Sequence, residues 1–211
     1  MKIVKISILA GAVLAAASFS QTAFGEVSAN IGVVSQYHFR GIQQTAGAST
    51  SAGLDYSEGG FYLGTWAADV ADGLEVDVYG GYGIELDNGL SLGVGATTYQ
   101  YTGDFDSAYN EVNLSAGFGM FSVAYSIGTQ DDDASLEISE ADYTFVSVTV
   151  EHNGFSATVG SWGDEFEGDY VEAAYGTEIG GFGVGVGVIF SGSDLDDDEA
   201  LYLSLSKSFD L

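Results

Sequence analysis

Residues 27 to 39 place Val27, Ala29, Ile31, Val33, Ser35, Tyr37 and Phe39 at every second position, with Ser28, Asn30, Gly32, Val34, Gln36 and His38 between them. Successive side chains of a strand point to opposite faces, so this segment has one apolar face and one small, polar face. The same two-residue period returns along the whole chain. Such a chain must hide its apolar faces, either inside a β-sandwich or soluble closed barrel, or against lipid.

Twelve segments carry the pattern: 27–40, 47–57, 61–68, 74–83, 90–101, 110–118, 121–128, 143–151, 155–162, 170–176, 182–190 and 200–209. In 182–190, Phe182, Val184, Val186, Val188 and Phe190 surround Gly183, Gly185 and Gly187; in 143–151 the β-branched residues leave the phase ambiguous. Short glycine-rich links at 57–60, 85–89, 119–120, 152–154 and 177–181 alternate strictly with longer acidic ones at 41–46, 69–73, 102–109, 129–142, 163–169 and 191–199. Outer-membrane barrels sort their connections this way, with short periplasmic turns, long outside loops and an even strand count. A soluble sandwich has no reason to, and its outer faces would be roughly a quarter to a third charged. Here the polar faces are mostly Gly, Ser, Thr and Asn, and the charge sits in the links.

Aromatics in the apolar phase gather near the short links: Tyr56, Phe61, Tyr82, Phe118, Phe121, Phe155, Tyr175, Phe182 and Phe209. Amphipathic rings favour the headgroup zone, so this reads as one interfacial girdle. Near the long links Tyr37, Phe39, Trp162 and Phe190 are expected to form the other, while Tyr99 and Tyr101 fall on the polar face.

The first 25 residues are expected to be removed. Lys2 and Lys5 precede an apolar run from Ile6 to Ala17, and Ala23-Phe24-Gly25 is a small-x-small cleavage site. The run is too short to span a bilayer as a helix. The barrel domain is then 26–211, with Arg40 and Lys207 as its only Lys or Arg against 31 acidic residues. That balance repels nucleic acid and attracts cations. The chain has no Cys, which removes disulfides, thiol catalysis and thiolate metal sites, and no Pro, which suits continuous strand pairing.

The segments Tyr37-His38-Phe39-Arg40-Gly41-Ile42-Gln43-Gln44-Thr45, Gly60-Phe61-Tyr62-Leu63-Gly64-Thr65-Trp66-Ala67 and Glu75-Val76-Asp77-Val78-Tyr79-Gly80-Gly81-Tyr82 resemble the TorF-type porin family, whose domain is called Gcw_chp. The terminal Ser204-Leu205-Ser206-Lys207-Ser208-Phe209 is similar to that family's end and to those of many outer-membrane proteins. The resemblance is sharpest over 30–82 and implies a secreted outer-membrane barrel of porin type. The chain departs from the usual aromatic terminus by running on through Asp210 to Leu211, which keeps the apolar phase of Leu205 and Phe209.

By phase Arg40 faces the lumen, as do Asp55, Glu75, Asp77, Glu111 and Glu172. These six are the candidate pore-lining residues. One reading is an acidic constriction that favours cations; the other is an internal salt bridge from Arg40 to one of the acids. Lys207 lies on the lipid face near the periplasmic rim, where its ammonium can snorkel to headgroups.

His38 and His152 fall at opposite rims, and no Gly-x-Ser-x-Gly motif accompanies them, so a hydrolase built on His38 is the weakest reading. The runs Asp131-Asp132-Asp133 and Asp194 to Glu199 lack EF-hand spacing and read as solvated loops, with weak divalent bridging to lipopolysaccharide as the alternative reading.

The sequence thus predicts an all-β, transmembrane, antiparallel up-and-down barrel of about twelve strands. Its expected place is the cell outer membrane, among lipid and lipopolysaccharide. Small lumen residues leave space for water, so the expected function is passive diffusion of small hydrophilic solutes with a cation preference. No cofactor, metal or catalysis is expected. The alternative is a non-conducting surface protein whose acidic loops bind divalent cations or mediate adhesion. A homo-oligomer is compatible with either, although no residue marks a protomer contact.

Overall fold

The computed structural model describes residues 25–195 and 199–211. The expected signal peptide, up to residue 24, and Asp196 to Asp198 of the second acidic run lie outside the described residues. In chain order the strands are β1 (Glu26–Val34), β2 (His38–Phe39), β3 (Ile42–Gln43), β4 (Ser49–Glu58), β5 (Phe61–Asp69), β6 (Leu74–Glu85), β7 (Leu90–Tyr101), β8 (Tyr109–Phe118), β9 (Phe121–Gln130), β10 (Ala141–His152), β11 (Phe155–Asp164), β12 (Gly168–Ile179), β13 (Phe182–Ser191) and β14 (Glu199–Asp210).

β1 and β4 to β14 form a closed antiparallel barrel of twelve strands, while β2 and β3 pair only with each other. Each barrel strand pairs with its chain neighbour. β1 closes the ring between β14 and β4, with Ala29 opposite both Phe209 and Leu54. Closure leaves no open edge, which lets strands cross a bilayer without stranded backbone N–H and C=O groups. Among the described residues no helix is long and apolar enough to cross a membrane; the crossing is made by strands.

The two faces divide as the alternation predicts. Leu54, Leu63, Val78, Val94, Val112, Leu114, Ile127, Val159 and Leu203 all project outward into an exposed apolar band. The nine short-turn aromatics stand outward as well, from Tyr82 at 39% exposed to Phe61 at 65%. A band of this extent, flanked by an aromatic girdle, belongs in lipid. The protein is an outer-membrane barrel. β10 settles its ambiguous phase by setting Val146 and Val148 outward and burying Tyr143 and Phe145 inside.

Three expectations need correction. The first strand stops at Val34 rather than 40, because the chain then leaves the wall and tucks Tyr37, His38 and Arg40 inside the barrel. There Arg40 (φ 50) and Gly41 (φ 88) form the two-residue turn of the β2–β3 hairpin, with the positive φ at both positions that a type I′ turn requires. Hairpin strands alternate as wall strands do, so the period alone could not separate them. The second correction concerns the loop-side girdle. Tyr37 and Trp162 are buried and Phe39 packs with them inside the barrel, leaving only Phe190 of that set outward. The third concerns lumen glycines such as Gly64, Gly128 and Gly187, which lie under tyrosine rings where water was expected.

Candidate functional site: the lumen and its inward hairpin

Lumen-facing side chains change character along the barrel axis. Towards the short turns they are small and polar, with Ser28, Ser91, Ser115, Ser122, Ser156 and Ser204 half-exposed to the interior. Towards the long loops they are large and buried, with Trp66, Tyr99, Tyr143, Phe145, Trp162 and Tyr170 among them. The lumen is therefore a vestibule on the short-turn side that meets a packed layer on the loop side.

Glycine makes that packed layer possible. Tyr143 on β10 is register-paired with Gly128 on β9, which is paired in turn with Glu111 on β8. With no side chain at Gly128, the Tyr143 ring lies flat across β9 and its hydroxyl donates to Glu111 at 2.9 Å. A Cβ added at Gly128 would stand 2.3 Å from Tyr143 Cζ. Tyr79 crosses Gly64 in the same manner, and its hydroxyl donates to Asp55 at 2.5 Å. Tyr202 crosses Gly187 to donate to Glu172. Each of these three rings leans towards the earlier strand, so the pattern is tyrosine, then glycine, then acid across three neighbouring strands.

The inward hairpin seats on this layer. Arg40 is 3% exposed, and its guanidinium forms a two-pronged pair with Glu111 at 2.5 and 3.0 Å while also donating to Ser126 at 3.2 Å. Its Cζ lies 4.3 Å from the Phe145 ring centroid and 5.4 Å from that of Trp162. The turn backbone is held too: Trp162 Nε1 donates to the Arg40 carbonyl at 3.0 Å and Ser191 Oγ to the Gly41 carbonyl at 2.5 Å. One hairpin tip thus reaches β8, β9, β11 and β13.

The structure brings four of the six sequence-derived site residues to this layer. Arg40 and Glu111 form the internal salt bridge, and Glu111 also accepts from Tyr99 at 3.0 Å. Glu75 and Asp77 sit two residues apart on β6, 1% and 0% exposed. Glu75 accepts from Tyr37 at 2.8 Å and Tyr101 at 3.2 Å. Asp55 and Glu172 belong to the half-exposed part of the wall, on β4 and β12. Phase put Tyr99 on the polar face but revealed neither it nor Tyr143 as a hydroxyl donor, nor the anchors Ser126, Trp162 and Ser191. For Tyr143 the available signal was a lumen-phase tyrosine with a glycine one strand away and an acid two strands away.

Outside the lumen, Lys207 faces outward, with Nζ 4.6 Å from the Phe182 ring centroid. His38 is buried within the first strand of the hairpin, whereas His152 lies exposed beside Asn153. In the 131–140 loop, Asp133 accepts from Ser135 N at 2.7 Å and Ser135 Oγ at 2.5 Å, and these bonds hold its carboxyl below the ordinary range. Among the described residues no three His, Cys, Asp or Glu side chains converge in a metal-holding group.

Solved structures share this architecture. The chain superposes on KdgM porin with a TM-score of 0.59 at 8% identity, covering 86% of this chain and 98% of that one. It superposes on a protein from a study described as "Unveiling the Mechanism Behind the in-meso Crystallization of Membrane Proteins" with a TM-score of 0.66 at 9% identity, over 88% of this chain and 84% of that one. Identities this low speak to the fold. No curated protein matches the chain. Residues 20–198 match the model of a family described as "Bacterial protein of unknown function (Gcw_chp)". By that match over most of its length, this twelve-stranded barrel with its inward hairpin belongs to the Gcw_chp family.

Proposed function

We propose that the protein is a porin-like channel of the outer membrane, passing small hydrophilic solutes with a preference for cations. The observation that carries this reading is the charge of the inner face. Five carboxylates (Asp55, Glu75, Asp77, Glu111 and Glu172) meet one arginine, and that arginine is already neutralised by Glu111. Rings of Asp or Glu favour cations in pores. The hairpin sets the narrow point, and Asp55 and Glu172 face the vestibule through which a solute reaches it. The porin label implied by the family resemblance agrees with this reading, as does the likeness to a porin fold.

The test is reversal potential and single-channel conductance of the refolded chain, residues 26–211, in a planar bilayer under a KCl gradient. Steady conductance with a cation-selective potential is the expected result. A folded barrel that stays electrically silent would sink the channel reading. The packing of Tyr37, Arg40, Tyr143 and Trp162 across the loop side favours that second reading, a closed barrel serving as a platform for its acidic loops. Removal of the hairpin separates the two, because conductance rises from an open baseline in a channel and appears only from silence in a barrel that the hairpin closes.

A further inference from the structure

Among the lumen acids Asp77 alone is left without hydrogen-bond donors. Glu75 and Glu111 accept tyrosine hydroxyls, as do Asp55 and Glu172. Asp77 is 0% exposed, and neither of its oxygens accepts a hydrogen bond among the described residues. Directly opposite in the register stands Trp66, 8% exposed, whose Nε1 is likewise without an acceptor. A buried donor and a buried carboxylate therefore lie on adjacent strands with their hydrogen-bonding capacity unspent. Leaving either so is costly, and the charged one more so.

We propose that Asp77 holds one hydrated monovalent cation beneath the inward hairpin. Such an ion answers both groups: the cation neutralises the carboxylate, and a water in its hydration shell accepts from Trp66 Nε1. Glu75, on the same face two residues away, adds negative potential, and each of its oxygens keeps a second lone pair beyond its tyrosine bond. The donor set, rather than the two charges of Glu75 and Asp77, selects a singly charged ion. Arg40 is committed to Glu111, and no group of three His, Cys, Asp or Glu side chains converges among the described residues to cage a divalent ion, which takes six to eight oxygen ligands in the case of calcium. A lone water satisfies the hydrogen bonds and leaves the charge uncompensated. The ring of Trp66 packs edge-on against Tyr37 at 5.8 Å and so ties the site to the base of the hairpin.

This site deepens the cation preference proposed above and rests on it for the supply of ions, but its test does not require conduction. Trp66 is one of two tryptophans in the chain and reports on the site directly. The refolded barrel is titrated with KCl replacing N-methylglucamine chloride at constant ionic strength, and tryptophan emission is followed. A saturating change is expected in the wild type and in Asp77→Glu, with loss of the change in Asp77→Asn and Trp66→Phe. No saturating response in the wild type, or the same response in Asp77→Asn, overturns the proposal and leaves an ordered water or a protonated carboxyl. Conductance measured on the same preparation separates the two claims. A conducting barrel without the response loses the site and keeps the channel; a silent barrel with the response does the reverse.

Discussion

A guanidinium buried inside a barrel is stable only if its charge and its donors are met together. Arg40 achieves this through two bonds to Glu111, one to Ser126 and three flanking rings. Removing one partner of such a pair costs about 3–5 kcal/mol, because the other is left charged in a poor solvent. Glu111→Ala is therefore expected to destabilise the barrel by that amount in urea-driven unfolding from vesicles. Arg40→Ala is expected to cost less, because Tyr99 and Tyr143 still donate to Glu111. Equal losses in the two variants would show that the tyrosines contribute nothing to holding the carboxylate. At Gly128 the expected effect is steric. Gly128→Ala drives a methyl into the Tyr143 ring, with an overpacking cost of about 1–3 kcal/mol. The same substitution at Gly47, where nothing lies within 4 Å of an added Cβ, is expected to leave stability unchanged.

At the scale of elements, the hairpin and the wall make different demands on the sequence. Replacing residues 37–45 by a Gly-Ser linker should leave the twelve-stranded wall closed, since β2 and β3 pair only with each other. Single-channel conductance is expected to rise several-fold while the reversal potential stays cation-selective, because Asp55 and Glu172 remain. Unchanged conductance would remove the hairpin from any role in gating the lumen. The wall was legible in the sequence because lipid and lumen impose a period of two on every strand. The hairpin was not, since Tyr37 and Phe39 extend that period beyond Val34. The turn at Arg40-Gly41 also lacks the Asn-Gly or Asp-Gly pair that would have marked it. Asp55, Glu75, Asp77, Glu111 and Glu172 stand on wall strands, whereas Arg40, which the period assigned to the first strand, stands on the turn of the hairpin and off the wall. Three of the tyrosine partners were invisible, because the contacts of Tyr79, Tyr143 and Tyr202 each cross a middle strand whose glycine looks, in sequence, like empty space.

For the whole molecule the decisive boundary is between the exterior band and the interior. Val112 and Glu111 are neighbours in sequence on opposite sides of it, 50% and 3% exposed. Val112→Arg is expected to cost about 2–4 kcal/mol in vesicle-based unfolding, the penalty of a cation near the bilayer midplane. A soluble closed barrel would tolerate the same change, so a loss below about 0.5 kcal/mol, the range of ordinary surface substitutions, would overturn the lipid-facing assignment. Closure of β1 on β14 also brings the two ends of the described wall into register, with Ser28 opposite Asp210. The last strand is thus required before any edge disappears.

That requirement carries a consequence for the order of assembly. The hairpin is made early, yet its anchors lie 71, 86, 122 and 150 residues further along the chain, at Glu111, Ser126, Trp162 and Ser191. It cannot seat until β8 to β13 exist around it. Each newly made barrel must therefore pass through a stage in which the wall is largely complete and the bore is still unobstructed. In refolding into vesicles, strand formation should precede the change in Trp162 emission, and a small fluorescent solute should leak only in the interval between them. The molecule would be at its most permeable while young.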